Sequence, residues 1–235
     1  MTKNKRKKKK KKQNPVLDYL GYLGVRLALL AMSFFHISTN LKTARFLGRC
    51  LWKYYHRGRR RALENLRRSY PEKSERWIWD TGRKSFENIA LLAVEVLFTP
   101  RLVKKGNWRN FSTYKNVERA KWMMKEGKGL ILVTGHYGNF EITGYLMSLF
   151  GFNLYSVARP LDNPFINNYL YSVRKRVGQK IVDKRGATKQ VQSILSSGAA
   201  LGFIADQDAG RKGIFVDFFG RKASTYKSIG LLAIT

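Results

Sequence analysis

The stretch Gly129-Leu-Ile-Leu-Val-Thr-Gly-His-Tyr-Gly-Asn-Phe-Glu141 decides the fold. Residues 129–134 are almost continuously apolar, rich in β-branched side chains and bounded by glycine, which is the pattern of a short buried strand. Gly135 and Gly138 allow a sharp turn. From Asn139 onward, Ile142, Tyr145, Leu146 and Leu149 recur on one face of a helix. His136 is therefore expected at the carboxyl end of a strand, the edge at which open α/β sheets bind ligands. Glu141, in the first turn of the helix, can fold back on the imidazole, hold its tautomer and stabilise the imidazolium. Together they would form a base and its orienting carboxylate, with no Ser or Cys nucleophile beside them. The plainer reading is an exposed loop histidine and a helix-capping carboxylate.

Downstream of this stretch strands and helices alternate. Strands are expected over 153–158, 180–183 and 199–205, and helices over 163–177 and 188–196. The alternation predicts an α/β fold with a mostly parallel sheet flanked by helices. The segment 213–220 has strand composition, and 224–233 has the pattern of a further helix. That helix stops at Thr235 without a terminator, so the α/β domain, residues 101–235, is expected to be incomplete at its C-terminus.

Upstream the chain is helical and basic. An amphipathic helix is expected over 40–55, with Leu41, Ala44, Leu47, Leu51 and Tyr54 or Tyr55 as its apolar positions. A shorter arginine-rich helix should end at Pro71, and Ser74 should cap a long helix that stops before Pro100. Residues 16–37 form an apolar segment interrupted only by Asp18, Arg26 and His36. Its length is close to the roughly 20 residues that a membrane span needs. With two internal charges, an interfacial helix fits as well as a span. Residues 15–100 are thus expected to form a membrane-associating region, and residues 1–14 a disordered lysine-rich tail.

The chain of 235 residues carries a formal charge of +31. Only nine of its 46 lysines and arginines lie in the tail, so the basicity is general. Such a balance implies an anionic partner, whether nucleic acid, acidic lipid or an acidic carrier protein. The single Cys50 excludes an intramolecular disulfide framework and points to the cytosolic side.

Two further constellations stand at strand ends. Asp206-Gln-Asp-Ala-Gly210 follows an apolar strand and would bring its acidic groups to the same sheet edge as His136. It can be a simple turn, part of a site, or an Asp-x-Asp pair for a divalent cation. Arg159-Pro-Leu-Asp-Asn-Pro164 follows another strand, with Arg174, Lys175 and Arg176 on the next helix. These guanidinium forks could hold an anionic substrate, pair with Asp206, or simply form a solvated basic face.

Several of these blocks, in order, resemble the late acyltransferases of lipid A biosynthesis, within the lysophospholipid acyltransferase superfamily. Gly135-His-Tyr-Gly-Asn-Phe-Glu141 is similar to the family's His-x4-Asp/Glu block in its glutamate form. Arg60-Arg-Ala-Leu-Glu-Asn-Leu-Arg-Arg-Ser-Tyr-Pro-Glu72 resembles the arginine-rich stretch before its Phe-Pro-Glu, and Ala158-Arg-Pro-Leu-Asp-Asn-Pro164 its Arg-Pro block. Asp206-Gln-Asp-Ala-Gly210 with Gly213-Ile-Phe-Val-Asp-Phe-Phe-Gly220 resembles its Asp-Gln-Asp and Phe-Val-x-Phe-Phe-Gly region. The lysine tail lies outside the likeness. The resemblance implies an O-acyltransferase that moves a fatty acyl chain from a thioester to a hydroxyl of a lipid A precursor, with His136 as general base oriented by Glu141. It implies supporting or substrate-binding roles for Asn139, Arg159, Arg174 and Asp206, with Arg176 as the register alternative to Arg174. No metal or bound cofactor is expected; acyl carrier protein or coenzyme A would bring the acyl group as co-substrate. The expected partners are an anionic membrane lipid, a phosphorylated glycolipid acceptor and acyl carrier protein, not nucleic acid. The expected location is the cytosolic face of the inner membrane. Two alternatives stay open: another acceptor, such as a mannosylated phosphatidylinositol or a lysophospholipid, and a basic nucleic-acid- or membrane-binding protein.

Overall fold

The computed structural model of the chain describes residues 14–127, 129–183 and 187–234. The lysine tract lies outside the described residues. The first described element is α1, Pro15–Ser33, begun by Asn14, whose side chain accepts from the N–H groups of Val16 and Leu17, with Pro15 at the first helical position. By length and composition α1 could cross a membrane, and 6% of its apolar window is buried. Helix α2, Ile37–Tyr54, α3, His56–Ser69, and α4, Glu75–Leu102, complete the helical half.

Two expectations for this half are corrected. The long helix does not stop before Pro100 but runs on to Leu102. A proline removes one N–H and crowds the carbonyl four residues back, and a break so close to a helix end disturbs only its last turn. The face of α2 that packs is also not the leucine stripe. Its buried residues are Asn40, Ala44, Gly48 and Trp52, whereas Leu47, Leu51 and Tyr54 are exposed. Close approach to α4 explains this, because a Cβ on Gly48 would stand 2.5 Å from Cα of Glu87. Ala44 and Gly48, one helical turn apart, let the two backbones meet.

Four strands follow: β1, Leu130–Thr134; β2, Leu154–Ala158; β3, Lys180–Asp183; and β4, Ala200–Ile204. They form one sheet, parallel as the alternating pattern predicts, in the order β1-β4-β2-β3. The intervening helices are α5, Val117–Lys125, before β1; α6, Phe140–Leu149; α7, Pro164–Lys175; and α8, Ala187–Ser196. One sheet face packs Val182 and Leu201 against Val191 and Ile194 of α8. The other packs Leu154 and Ala200 against Met147 of α6 and Met124 of α5.

A separate hairpin, β5, Ile214–Phe218, and β6, Arg221–Thr225, precedes α9, Lys227–Ile234. The helix expected from residue 224 thus begins three residues later, because Ser224 pairs with Phe215 in the hairpin. Phe219 and Gly220, both at positive φ, make the two-residue turn that fixes this pairing.

Candidate active site

The register of β1 and β4 creates the site. Thr134 lies opposite Ile204, and the N–H of Ala205 donates to the carbonyl of Thr134 at 2.9 Å. Two residues beyond these partners each chain presents a polar group, so His136 and Asp206 leave the sheet side by side. Oδ2 of Asp206 accepts the backbone N–H of His136 at 2.6 Å, and Oδ1 lies 2.7 Å from Nδ1 of the imidazole. An ionised carboxylate can only accept, so Nδ1 carries the proton and Nε2 is left as the basic nitrogen. A Cβ on Gly135 would stand 3.0 Å from Oδ2, which explains why glycine precedes the histidine. Phe140 meets the imidazole edge-on, with ring centroids 4.9 Å apart.

Burial alone would push the Asp206 carboxyl up. The hydrogen bonds from the His136 ring and backbone outweigh it and hold the group below the usual carboxylate range. Both side chains remain about two-fifths exposed, so a substrate can reach them.

Glu141 does not hold His136. Its carboxylate takes a two-pronged ion pair from Arg174, at 2.5 and 3.1 Å, with both side chains largely buried. Of the alternatives open for Arg174, pairing with Asp206 is not the one adopted; its carboxylate partner is Glu141. The physical reason is helical geometry: the first turn of α6 turns position 141 toward the last turn of α7, while the sheet register alone supplies the carboxylate for the histidine. Asn139 is the N-cap of α6 and accepts from the N–H of Ile142 at 3.0 Å; its amide donates to Glu95 of α4 at 2.8 Å. The turn carrying His136 is thereby tied to the helical half.

Beside the pair lies a cavity of about 250 Å³ between α6 and the ends of β1, β2 and β4. Leu132, Phe140, Met147, Phe203 and Ile204 give it apolar walls, and Gly144 and Gly202 make room. Its polar residues include Ser156 and Gln179, which bond each other at 2.8 Å, and the Glu141–Arg174 pair.

The other expected residues fall outside this arrangement. Arg159 is exposed and pairs with Asp162 at 2.8 Å. Arg176 caps the end of α7 in a different cleft. Asp208 closes its own turn by accepting from the N–H of Gly210. Among the described residues no three His, Cys, Asp or Glu side chains gather as metal ligands. Three site residues escaped the sequence reading. Glu95 carried a signal, being a lone carboxylate within the apolar run 89–98. Phe140 and Gln179 carried none, since an aromatic residue at a helix start and a glutamine before a strand are commonplace.

Comparison with known proteins gives a consistent result. A family model described as bacterial lipid A biosynthesis acyltransferase matches residues 5–235. A lipid A biosynthesis acyltransferase of Haemophilus influenzae is 24% identical over 179 residues, covering 74% of this chain and 55% of that protein. A lipid A biosynthesis acyltransferase 2 of Shigella flexneri is 25% identical over 191 residues, covering 79% and 59%. A lipid A biosynthesis myristoyltransferase of Escherichia coli is 25% identical over 194 residues, covering 79% and 58%. The chain thus spans somewhat more than half the length of the curated relatives it matches.

Proposed function

Because the chain belongs to the bacterial lipid A biosynthesis acyltransferase family, we propose that it transfers a fatty acyl chain from a thioester donor to a hydroxyl of a lipid A precursor. The observation that carries the mechanism is the His136–Asp206 pair at the carboxyl end of the parallel sheet. Nε2 of His136 takes the proton of the acceptor hydroxyl as its oxygen forms a bond to the thioester carbonyl carbon. The carbon–sulfur bond then breaks, and the departing thiolate takes the proton back from the imidazolium. Asp206 stabilises that imidazolium and fixes the tautomer, the role first read into Glu141. No covalent enzyme intermediate is needed.

The neighbouring cavity suits the acyl chain. Its apolar walls and its volume of about 250 Å³ suit an extended hydrocarbon segment. The Glu141–Arg174 pair at its polar end fixes α6 to α7 and keeps that end shaped. The donor is an acyl carrier protein or coenzyme A thioester; a strongly acidic carrier suits a chain of charge +31. The exposed apolar surface of α1 supports attachment to the inner membrane, with the basic surface toward anionic lipid on the cytosolic face.

The test is radiolabelled acyl transfer with both donors to a panel of acceptors: a lipid A precursor, a mannosylated phosphatidylinositol and a lysophospholipid. Transfer to the lipid A precursor, lost in His136→Ala while membrane association persists, is the expected result. Exclusive use of another acceptor would overturn the substrate assignment. Unchanged turnover in His136→Ala would overturn the mechanism.

A further inference from the structure

A second cleft, of about 420 Å³, lies between α1, the end of α4 and α7. Three arginines are among its lining residues: Arg26 from α1, Arg101 from α4 and Arg176 from the end of α7. Among the described residues none of the three has a carboxylate within ion-pair distance, whereas Arg174, on the same α7 as Arg176, is paired with Glu141. We propose that this cleft binds the phosphate group of an anionic membrane lipid.

Arg26 is the strongest part of the argument. It is the one cation in an otherwise apolar helix, apart from Asp18, and a charge there is costly unless it faces protein, water or a counterion. It is held toward the cleft, donating to the Tyr22 hydroxyl at 2.9 Å and lying 5.2 Å from the Tyr169 ring centroid. Arg101 and Arg176 are at helix ends, where they complement the carbonyl dipole. That accounts for two of them but not for Arg26 or for their gathering in one cleft. Like charges brought together repel, and an anion between them reverses the sign of that interaction. Guanidinium forks match phosphate oxygens in pairs.

Lipid is favoured over a free anion by what surrounds the charges. Leu97 and Phe165 give the cleft apolar walls, and exposed Leu23, Leu27 and Leu30 continue along α1 on either side of Arg26. A phosphate seated here would keep its acyl chains beside the helix most able to contact a bilayer. The site includes none of His136, Asp206, Glu141 and Arg174. It therefore stands whether or not the chain transfers acyl groups.

The experiment is thermal stabilisation of the full chain in neutral detergent by short-chain phosphatidylglycerol, by inorganic phosphate, and by short-chain phosphatidylcholine, whose choline would bring a further cation to the arginines. Each variant is referred to its own melting temperature without ligand. The combined Arg26→Gln/Arg101→Gln/Arg176→Gln variant should lose at least tenfold in apparent affinity for phosphatidylglycerol. A charge-matched variant on α2, Arg45→Gln/Arg49→Gln/Lys53→Gln, should change it less than threefold. Equal losses in the two variants would show general electrostatics and overturn the site. Phosphate alone protecting as well as the lipid would overturn the assignment to a lipid, and phosphatidylcholine matching phosphatidylglycerol would overturn the assignment to an anionic one.

Discussion

Replacing Asp206 by Asn tests which carboxylate serves the histidine. The amide cannot satisfy both contacts that the carboxylate now accepts, from Nδ1 and from the backbone N–H of His136. If its oxygen faces Nδ1, its NH2 opposes the backbone N–H. If it turns over, the NH2 donates to Nδ1 and forces the proton to Nε2, which can then no longer act as base. In either state the negative charge that stabilises the imidazolium is gone. Unit charges about 4 Å apart interact by about 1 kcal/mol in water and about 4 kcal/mol at an effective dielectric constant of 20. With both groups about two-fifths exposed, a value between these limits applies. We take about 2–3 kcal/mol, which corresponds to a loss of roughly 30- to 150-fold in kcat/KM. Initial rates of acyl transfer near neutral pH, with KM for both substrates, provide the measurement.

The same substitution has a stability signature. The folded Asp206 carboxyl is held below its usual range, so the unfolded chain takes up the proton first as pH falls. Its contribution to stability is fully present above the unfolded carboxylate value of about 4 and is lost as pH falls through the folded one. Denaturant unfolding at a series of acid pH values should therefore show wild type losing stability more steeply than Asp206→Asn. If Asp206→Asn keeps wild-type kcat/KM and acid slope while Glu141→Gln loses activity without loss of stability, the orienting carboxylate is Glu141 and the reasoning fails.

For the Glu141–Arg174 pair, removing either charge alone leaves its partner stranded in a largely buried place. Glu141→Gln or Arg174→Gln should cost about 3–5 kcal/mol, while Glu141→Gln with Arg174→Met should cost less than the sum of the single changes; denaturant unfolding of the set measures the coupling. For the cavity, a Cβ on Gly202 would meet Leu154 and Ser156 at 3.6 Å, an ordinary contact, so the site accepts a side chain there. Gly202→Leu should shift donor preference toward acyl chains shorter by several carbons, and an unchanged chain-length profile would remove the cavity from the reaction.

The parallel sheet was legible because buried strands and amphipathic helices differ in period, and all four of its strands begin within one residue of their expected starts. The histidine was legible because glycines bracket it at a strand end. Its partner was not, because a parallel register is a long-range property. Nothing local in either segment says that β4 rather than β2 lies beside β1, and only that neighbour brings Asp206 to His136 across 70 positions of sequence. A carboxylate five residues away is the natural local choice, and the arginine that claims it lies 33 residues further on. The α2 face was misjudged for a related reason: hydrophobicity marks a stripe, but closeness of packing is decided by small residues such as Gly48.

The relation between the two halves follows from the same long-range contacts. A boundary at residue 100 falls inside α4, and the helix on its N-terminal side reaches the turn that carries His136 through Glu95 and Asn139. Asn139 in turn caps the helix that carries Glu141. On the other flank, the Asn163 amide that caps α7 donates to the carbonyl of Asp18 in α1, and Arg174 stands on that same α7. Both members of the Glu141–Arg174 pair are thus borne by helices whose N-caps bond to the helical half. A purely tethering region would leave the geometry around His136 unchanged if it were displaced. Here displacement of α4 or α1 would disturb a cap, then a helix, then one side of the ion pair beside the cavity. The helical half is therefore part of the scaffold that holds the site.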